Sequence, residues 1–355
     1  MVFPLIGESR EKEEDEMGEK TEFVKLTCAE ISCLWGTFIN DNMVICVMTH
    51  FMETVEDPEV KTIVEETLQV AINHKNIIEA IFLNENIVVP QGFPLEKHVV
   101  SNAPRLFSDI FYMQFVLQLA RYGVISHTSS LTMSAREDIC QMYHDFLNHT
   151  SLVYQHAVFC MQKKGVFVRM PLMNYPEEID FVDEKKFLTG WFGRRRALLG
   201  IEATHLMMNA INNEVGKATC IGFSQVASEQ VLRDYFLRGK HVCTHLMSSI
   251  HEVLEESDVP TAMSWDQNVT NSTTSPFSDQ LMLYIVGTLS FLGVAAYGTG
   301  ISTSMRRDII SMYLGFMSKA GAFGEHGMDL MIERNWLEQP PQFEDREKIA
   351  KRKTK

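Results

Sequence analysis

The chain has 355 residues, 45% of them hydrophobic and 22% charged, which is an ordinary globular composition. Lys and Arg total 32 against 46 for Asp and Glu, and this net charge of -14 argues against nucleic acid as a partner, because neutralising phosphate needs a basic face. No run of 18 apolar residues occurs, so no membrane partner is expected; the acidic start from Glu8 to Glu16 is unlike a signal peptide, and the expected setting is the cytoplasm.

In chain order, residues 1–24 read as a charged tail. Apolar residues at spacings of three, four and seven then predict helices over 28–55, 58–86, 107–134 and 136–164. A second set follows over 200–226, 228–257, 277–304 and 306–336. Asp57-Pro58 opens one of these helices with Pro at its first position. Two connectors, 86–106 and 257–276, are long enough to cross a bundle, since twenty extended residues reach roughly 60 Å. Short, long, short is the connection pattern of ferritin-like bundles. Strand signals are confined to short stretches such as Val166-Phe167-Val168. The basic stretch from Lys348 to Lys355 reads as a frayed end.

The second set repeats the first. Setting Phe107-Ser108-Asp109 over Phe277-Ser278-Asp279 gives 17 identities in the 65 ungapped positions of 107–171 against 277–341. Glu30, Leu34, Ile39 and Asn40 fall on Glu202, Leu206, Ile211 and Asn212. The expected fold class is therefore all-α, two tandem ferritin-like four-helix bundles from an internal duplication. Its expected parts are a first bundle over 25–171, a packed linker over 172–196 and a second bundle over 197–341. The linker carries Tyr175, Trp191 and Phe192, too aromatic for a mobile tether, and is expected to lie in the groove between the bundles. Its Arg194-Arg195-Arg196 run reads as a cluster offsetting local acidity rather than an anion site.

The seven cysteines are odd in number and contain no Cys-x-x-Cys, as expected of free thiols in a reducing compartment. Gly298-Thr299-Gly300 lies inside a predicted helix, where small residues allow close packing.

Six blocks carry a family resemblance. They are Leu26-Thr27-Cys28-Ala29-Glu30-Ile31, Asn102-Ala103-Pro104-Arg105-Leu106-Phe107-Ser108-Asp109, Gly190-Trp191-Phe192-Gly193, Gly222-Phe223-Ser224-Gln225-Val226-Ala227, Tyr235-Phe236-Leu237-Arg238-Gly239-Lys240 and Trp336-Leu337-Glu338-Gln339-Pro340-Pro341. Together they resemble an uncharacterised family of spore-forming bacilli, domain of unknown function 3231, which is similar to ferritin-like and spore-coat-type proteins. The resemblance implies the fold, favours iron as a cofactor, and implies association with the spore.

A di-iron centre needs a Glu from each of two helices and a Glu-x-x-His from each of the other two. No Glu-x-x-His falls on a second or fourth helix here, and the third helices offer Tyr112, Tyr122, Tyr284 and Tyr297 instead of a mid-helix carboxylate. An oxidase is not expected. The inward residues allow a single metal ion per bundle. Its ligands would be Asp41, Asn42, His74 and His156 in the first half, and Glu214, His245 and His326 in the second. In this scheme His245 stands for His74 by a gapped match, and His326 repeats His156. Two readings follow. One is a non-catalytic, ferritin-like metal-binding protein holding iron or another divalent transition metal. The other is a structural or self-assembling spore-associated protein without a bound metal.

Overall fold

The computed structural model describes residues 24–190, 195–261 and 264–352. The acidic start, Trp191 to Gly193 and Arg194 lie outside the described residues. Among the described residues there is no strand, only two isolated β-bridges, so Val166-Phe167-Val168 is not a strand.

Eight long helices form two quartets. The first holds α1 (Cys28–Thr54), α2 (Pro58–Asn84), α3 (Asp109–Met133) and α4 (Glu137–Lys163). The second holds α5 (Gly200–Val226), α6 (Gln230–Glu255), α7 (Asp279–Thr303) and α8 (Arg307–Glu333). Each end lies within three residues of the prediction. The basic C-terminal stretch is not frayed throughout, because Arg346–Arg352 forms an exposed two-turn helix.

Local chemistry sets the ends. Ser108 and Ser278 cap α3 and α7 by accepting the Phe111 and Leu281 N–H groups (3.3 and 3.1 Å). Asp57 caps α2 by accepting the Glu59 N–H at 2.9 Å. After α2, α4, α6 and α8 the chain turns through left-handed residues at Asn86, Gly165, Asp258 and Asn335. Each turn is closed by a backbone bond to the carbonyl five residues back, such as Ile87 N–H to Phe82 O (2.8 Å) and Val259 N–H to Leu254 O (3.0 Å).

The duplication is exact in helix length for α1 and α5, which both run 27 residues. Their starts, Cys28 and Gly200, are 172 positions apart, whereas those of α3 and α7, Asp109 and Asp279, are 170 apart. Counted from the left-handed turns at Asn86 and Asp258, the second crossover is thus two residues shorter than the first.

One staple recurs in both quartets. The Glu30 carboxylate accepts the N–H groups of Thr27 (2.7 Å), Ala135 (3.0 Å) and Arg136 (2.8 Å), tying the start of α1 to the start of α4. Glu202 does the same for α5 and α8 through Leu199 (2.9 Å), Met305 (2.9 Å) and Arg306 (3.1 Å), and adds Arg196 at 2.8 Å. Burial pushes both carboxyls up, but these donors outweigh it and hold each at about 2.

The two crossovers pair with each other across a pseudo-twofold axis. Val99 bridges Phe277 and Phe107 bridges Val269, a symmetric exchange in the antiparallel sense. The His98 Nδ1–Ser278 Oγ contact (2.7 Å) is mirrored by Ser108 Oγ donating to Asn268 Oδ1 (2.7 Å). The Phe107 ring stacks on Phe111 and meets Phe223 of the other half, while His50 meets Phe277.

Two separate cores are therefore found only at the outer ends of the quartets. One gathers Leu34, Phe38, Ile78, Phe82 and Phe146, and the other Leu206, Leu246, Ile250, Tyr313 and Phe316. Between them the largest cluster draws on both halves, with Phe51, Phe107 and Phe111 packed in one body with Phe223, Phe277 and Leu281. Helices α1 and α7 have mean hydropathies of 1.3 and 1.7, long and apolar enough by composition to cross a membrane. About half of that apolar stretch is buried in α1 and a third in α7, and the two helices meet across the halves, where Tyr284 donates to Asn40 at 3.0 Å. In α7, Gly300 allows the Tyr313 ring to come within 2.7 Å of where a Cβ would sit, the close packing that its small residues predict.

The linker is open to water over 174–186, whereas Met173 lies against Gly200, Arg196 over the Phe187 ring, and Gly190 is buried. Leu172, Tyr175, Ile179 and Phe181 are each more than 80% exposed, and the segment has no regular structure before the turn at Lys185–Leu188. Arg195 and Arg196 are taken up in ion pairs with Glu256 (2.6 Å) and Glu202 (2.8 Å), which leaves no anion site in the described part of that run.

Candidate functional site

The seven residues expected as metal ligands do not converge. Asn42 donates to Phe38 O (2.8 Å) and lies against Gly92 of the crossover. His156 is half exposed and bound to Glu66 through Nδ1 at 2.9 Å. Glu214 is buried against Lys217 (3.2 Å) and accepts the Trp265 N–H (3.2 Å), so it secures the second crossover. His245 faces Lys319, and His326 faces Arg238. A cation beside each imidazole opposes a metal ion there. Among the described residues, no three His, Cys, Asp or Glu side chains are placed to hold a metal ion. The match of His245 to His74 also fails. The buried positions of α2 and α6 correspond without a gap, which puts Leu246 in the place of His74.

Asp41 and His74 do line one cavity of 160 Å³, walled by α1 to α4 and bounded on one side by Thr288 and Leu292 of α7. His127 of α3, missed in the sequence, completes its polar wall. It sits on one stripe of α3 with Val116, Ala120, Gly123 and Ser130, a spacing of three and four that marks it as inward. The His74 ring stacks on Phe146 with 3.7 Å between centroids and meets His127 edge-on at 5.5 Å. His74 Nε2 lies 3.4 Å from His149 Nδ1. Burial pushes His74 down to about 3, helped by the His127 and His149 rings, and pushes His127 down to about 4. Burial pushes the Asp41 carboxyl well above the usual range.

The second quartet holds the same space in a closed form. Asn213 replaces Asp41, Leu246 replaces His74 and Tyr297 replaces His127. The Tyr297 hydroxyl reaches Asn213 Oδ1 at 3.0 Å, and only 60 Å³ remains. A groove of 410 Å³ along α1, α3 and α7 shares Thr37, Asn40, Tyr122, Ser126 and Leu292 with the larger cavity and leads to it from the surface.

All seven cysteines are free, and burial raises the Cys46 and Cys243 thiols to about 12. A second candidate surface is the exposed linker. Its apolar side chains at 172–182 are interleaved with Glu177, Glu178 and Asp180. Near the crossovers, a groove of 460 Å³ is lined by Trp35, Phe93, Tyr284, Trp336, Pro340 and Pro341.

Residues 16–179 and again 186–349 match the family described as Protein of unknown function (DUF3231). A solved structure from Bacillus halodurans, of a protein provisionally named a spore coat protein, aligns at 18% identity with a TM-score of 0.40, covering 44% of this chain and 100% of its own. No curated protein matches the chain.

Proposed function

The chain belongs to this family of unknown function, DUF3231, in both of its halves, and we propose that it acts as a structural, self-associating protein that works without a resident metal ion. Its setting is the spore association that the sequence resemblance implies. One observation carries this reading. The linker holds Leu172, Tyr175, Ile179 and Phe181 in water, with nothing among the described residues to cover them. Contiguous exposed apolar side chains mark an interaction surface. In this reading the linker seats in the apolar groove lined by Trp35, Phe93, Tyr284 and Trp336 on a second copy. A linker of one copy seated in the groove of the next is a head-to-tail contact, which builds rings or filaments.

Light scattering on the purified chain tests this. Assemblies are expected to grow with concentration and to persist in excess chelator. Tyr175→Ser with Phe181→Ser should yield monomers that melt at the same temperature, because neither side chain is buried in the fold. A monomeric wild-type chain at high concentration, or assemblies that dissolve when metal is removed, would count against the reading.

A further inference from the structure

The cavity of the first quartet leaves two of its wall atoms unsatisfied. Asp41 Oδ2 and His127 Nδ1 are buried with no hydrogen-bond partner. No Lys or Arg is among the residues lining the cavity. Native structures rarely retain buried polar atoms of this kind without a use for them. At the same place in the second quartet Tyr297 and Asn213 satisfy each other, although Asn212 Oδ1 and Gln118 Nε2 stay unpartnered on that wall.

The charge of a fitting ligand follows from the lining. An anion would face Asp41 with no cation to balance it. A neutral hydrocarbon would leave the carboxyl and the imidazole unpartnered. A cation gives Asp41 a counter-charge in surroundings of low dielectric, where the attraction is strong. Its N–H groups would find acceptors in the Asp41 carboxylate, the His127 ring and the Thr67 and Thr150 hydroxyls, all on the cavity wall. Size follows from volume. The 160 Å³ here compares with the roughly 150 Å³ of an engineered cavity that admits benzene, which sets a body of about five or six non-hydrogen atoms. The groove past Asn40, Tyr122 and Ser126 provides the way in.

We propose that this cavity binds a small organic cation, a primary ammonium group on a short hydrocarbon body. The ammonium lies at Asp41, and the body lies against Val70, Ala71 and Val153. Burial holds His74 at about 3 and His127 at about 4, so neither ring carries a positive charge at neutral pH to repel the ligand.

Isothermal titration of the full chain with n-butylammonium, 1-butanol and butyrate tests the proposal. The ammonium should bind at one site per chain, the alcohol at least about tenfold more weakly, and butyrate not detectably. Asp41→Asn, the residue type the second quartet carries at this place, should weaken the ammonium by about ten- to a hundredfold. His127→Tyr copies the closed arrangement and should abolish binding. No binding of n-butylammonium to the wild-type chain would overturn the proposal. So would equal binding of 1-butanol, or binding unchanged in Asp41→Asn, which would place the amine elsewhere on this acidic surface.

Discussion

Phe107→Ala is expected to lower the stability of the whole chain by about 3–5 kcal/mol, the usual cost of deleting a buried phenyl ring. The ring is 3% exposed and lies in the core cluster shared by the two halves. Gly222 gives way to it: a Cβ there would lie 2.5 Å from Phe107 Cζ. Gly222→Ala should therefore destabilise by about 1–3 kcal/mol on its own. In the Phe107→Ala background the same change should be nearly neutral, because the opposing ring is gone. Urea unfolding of the four proteins measures the coupling. Additive effects would show that Phe107 and Gly222 do not meet, and two separate transitions in the wild-type chain would show that the halves fold apart.

The second large effect concerns acid. Glu30 and Glu202 are held at about 2, below the ordinary 4.5, so each contributes stability in full above about pH 4.5 and loses it as the pH falls toward 2. A shift of that size corresponds to about 3 kcal/mol per group. Glu202→Gln should cost about 3–5 kcal/mol at pH 7, since it leaves the Arg196 guanidinium without its carboxylate and weakens the bonds to Met305 and Arg306. A chain with both Glu30→Gln and Glu202→Gln should unfold at a urea midpoint that changes much less between pH 5 and pH 3 than that of the wild type. Parallel pH profiles would show that these carboxylates do not carry the acid sensitivity.

The duplication is legible in sequence because helix ends depend on local chemistry. Ser108-Asp109 and Ser278-Asp279 announce two helix starts by themselves, and Asn86 and Gly165 mark two stops. The crossovers are legible as long segments, but not as partners of each other. That pairing joins Val99 to Phe277 and Phe107 to Val269, contacts between residues more than 160 positions apart that no local pattern encodes. The candidate site is legible in part. A helical wheel places Asp41 and His74 inward, and both line the cavity. It does not reveal that Glu66 takes His156, that Lys217 takes Glu214, or that Arg238 faces His326. His127 could have been found on its stripe with Ala120 and Gly123, but a search for carboxylates on α3 passes over it. Glu30 and Glu202 serve in the sequence only as landmarks of the repeat. Their role as staples depends on where α4 and α8 begin, which is a tertiary fact.

The reciprocal grip of the two crossovers means that the peptide tie between the quartets is dispensable once folding is complete. Protease can reach 172–183, where the backbone is open to water. A nick there should leave two fragments that travel together through gel filtration and part only in denaturant. The same logic reaches back in time: an ancestor carrying a single quartet would have met an identical sister at this surface, and gene fusion then freed one cavity to diverge from the other.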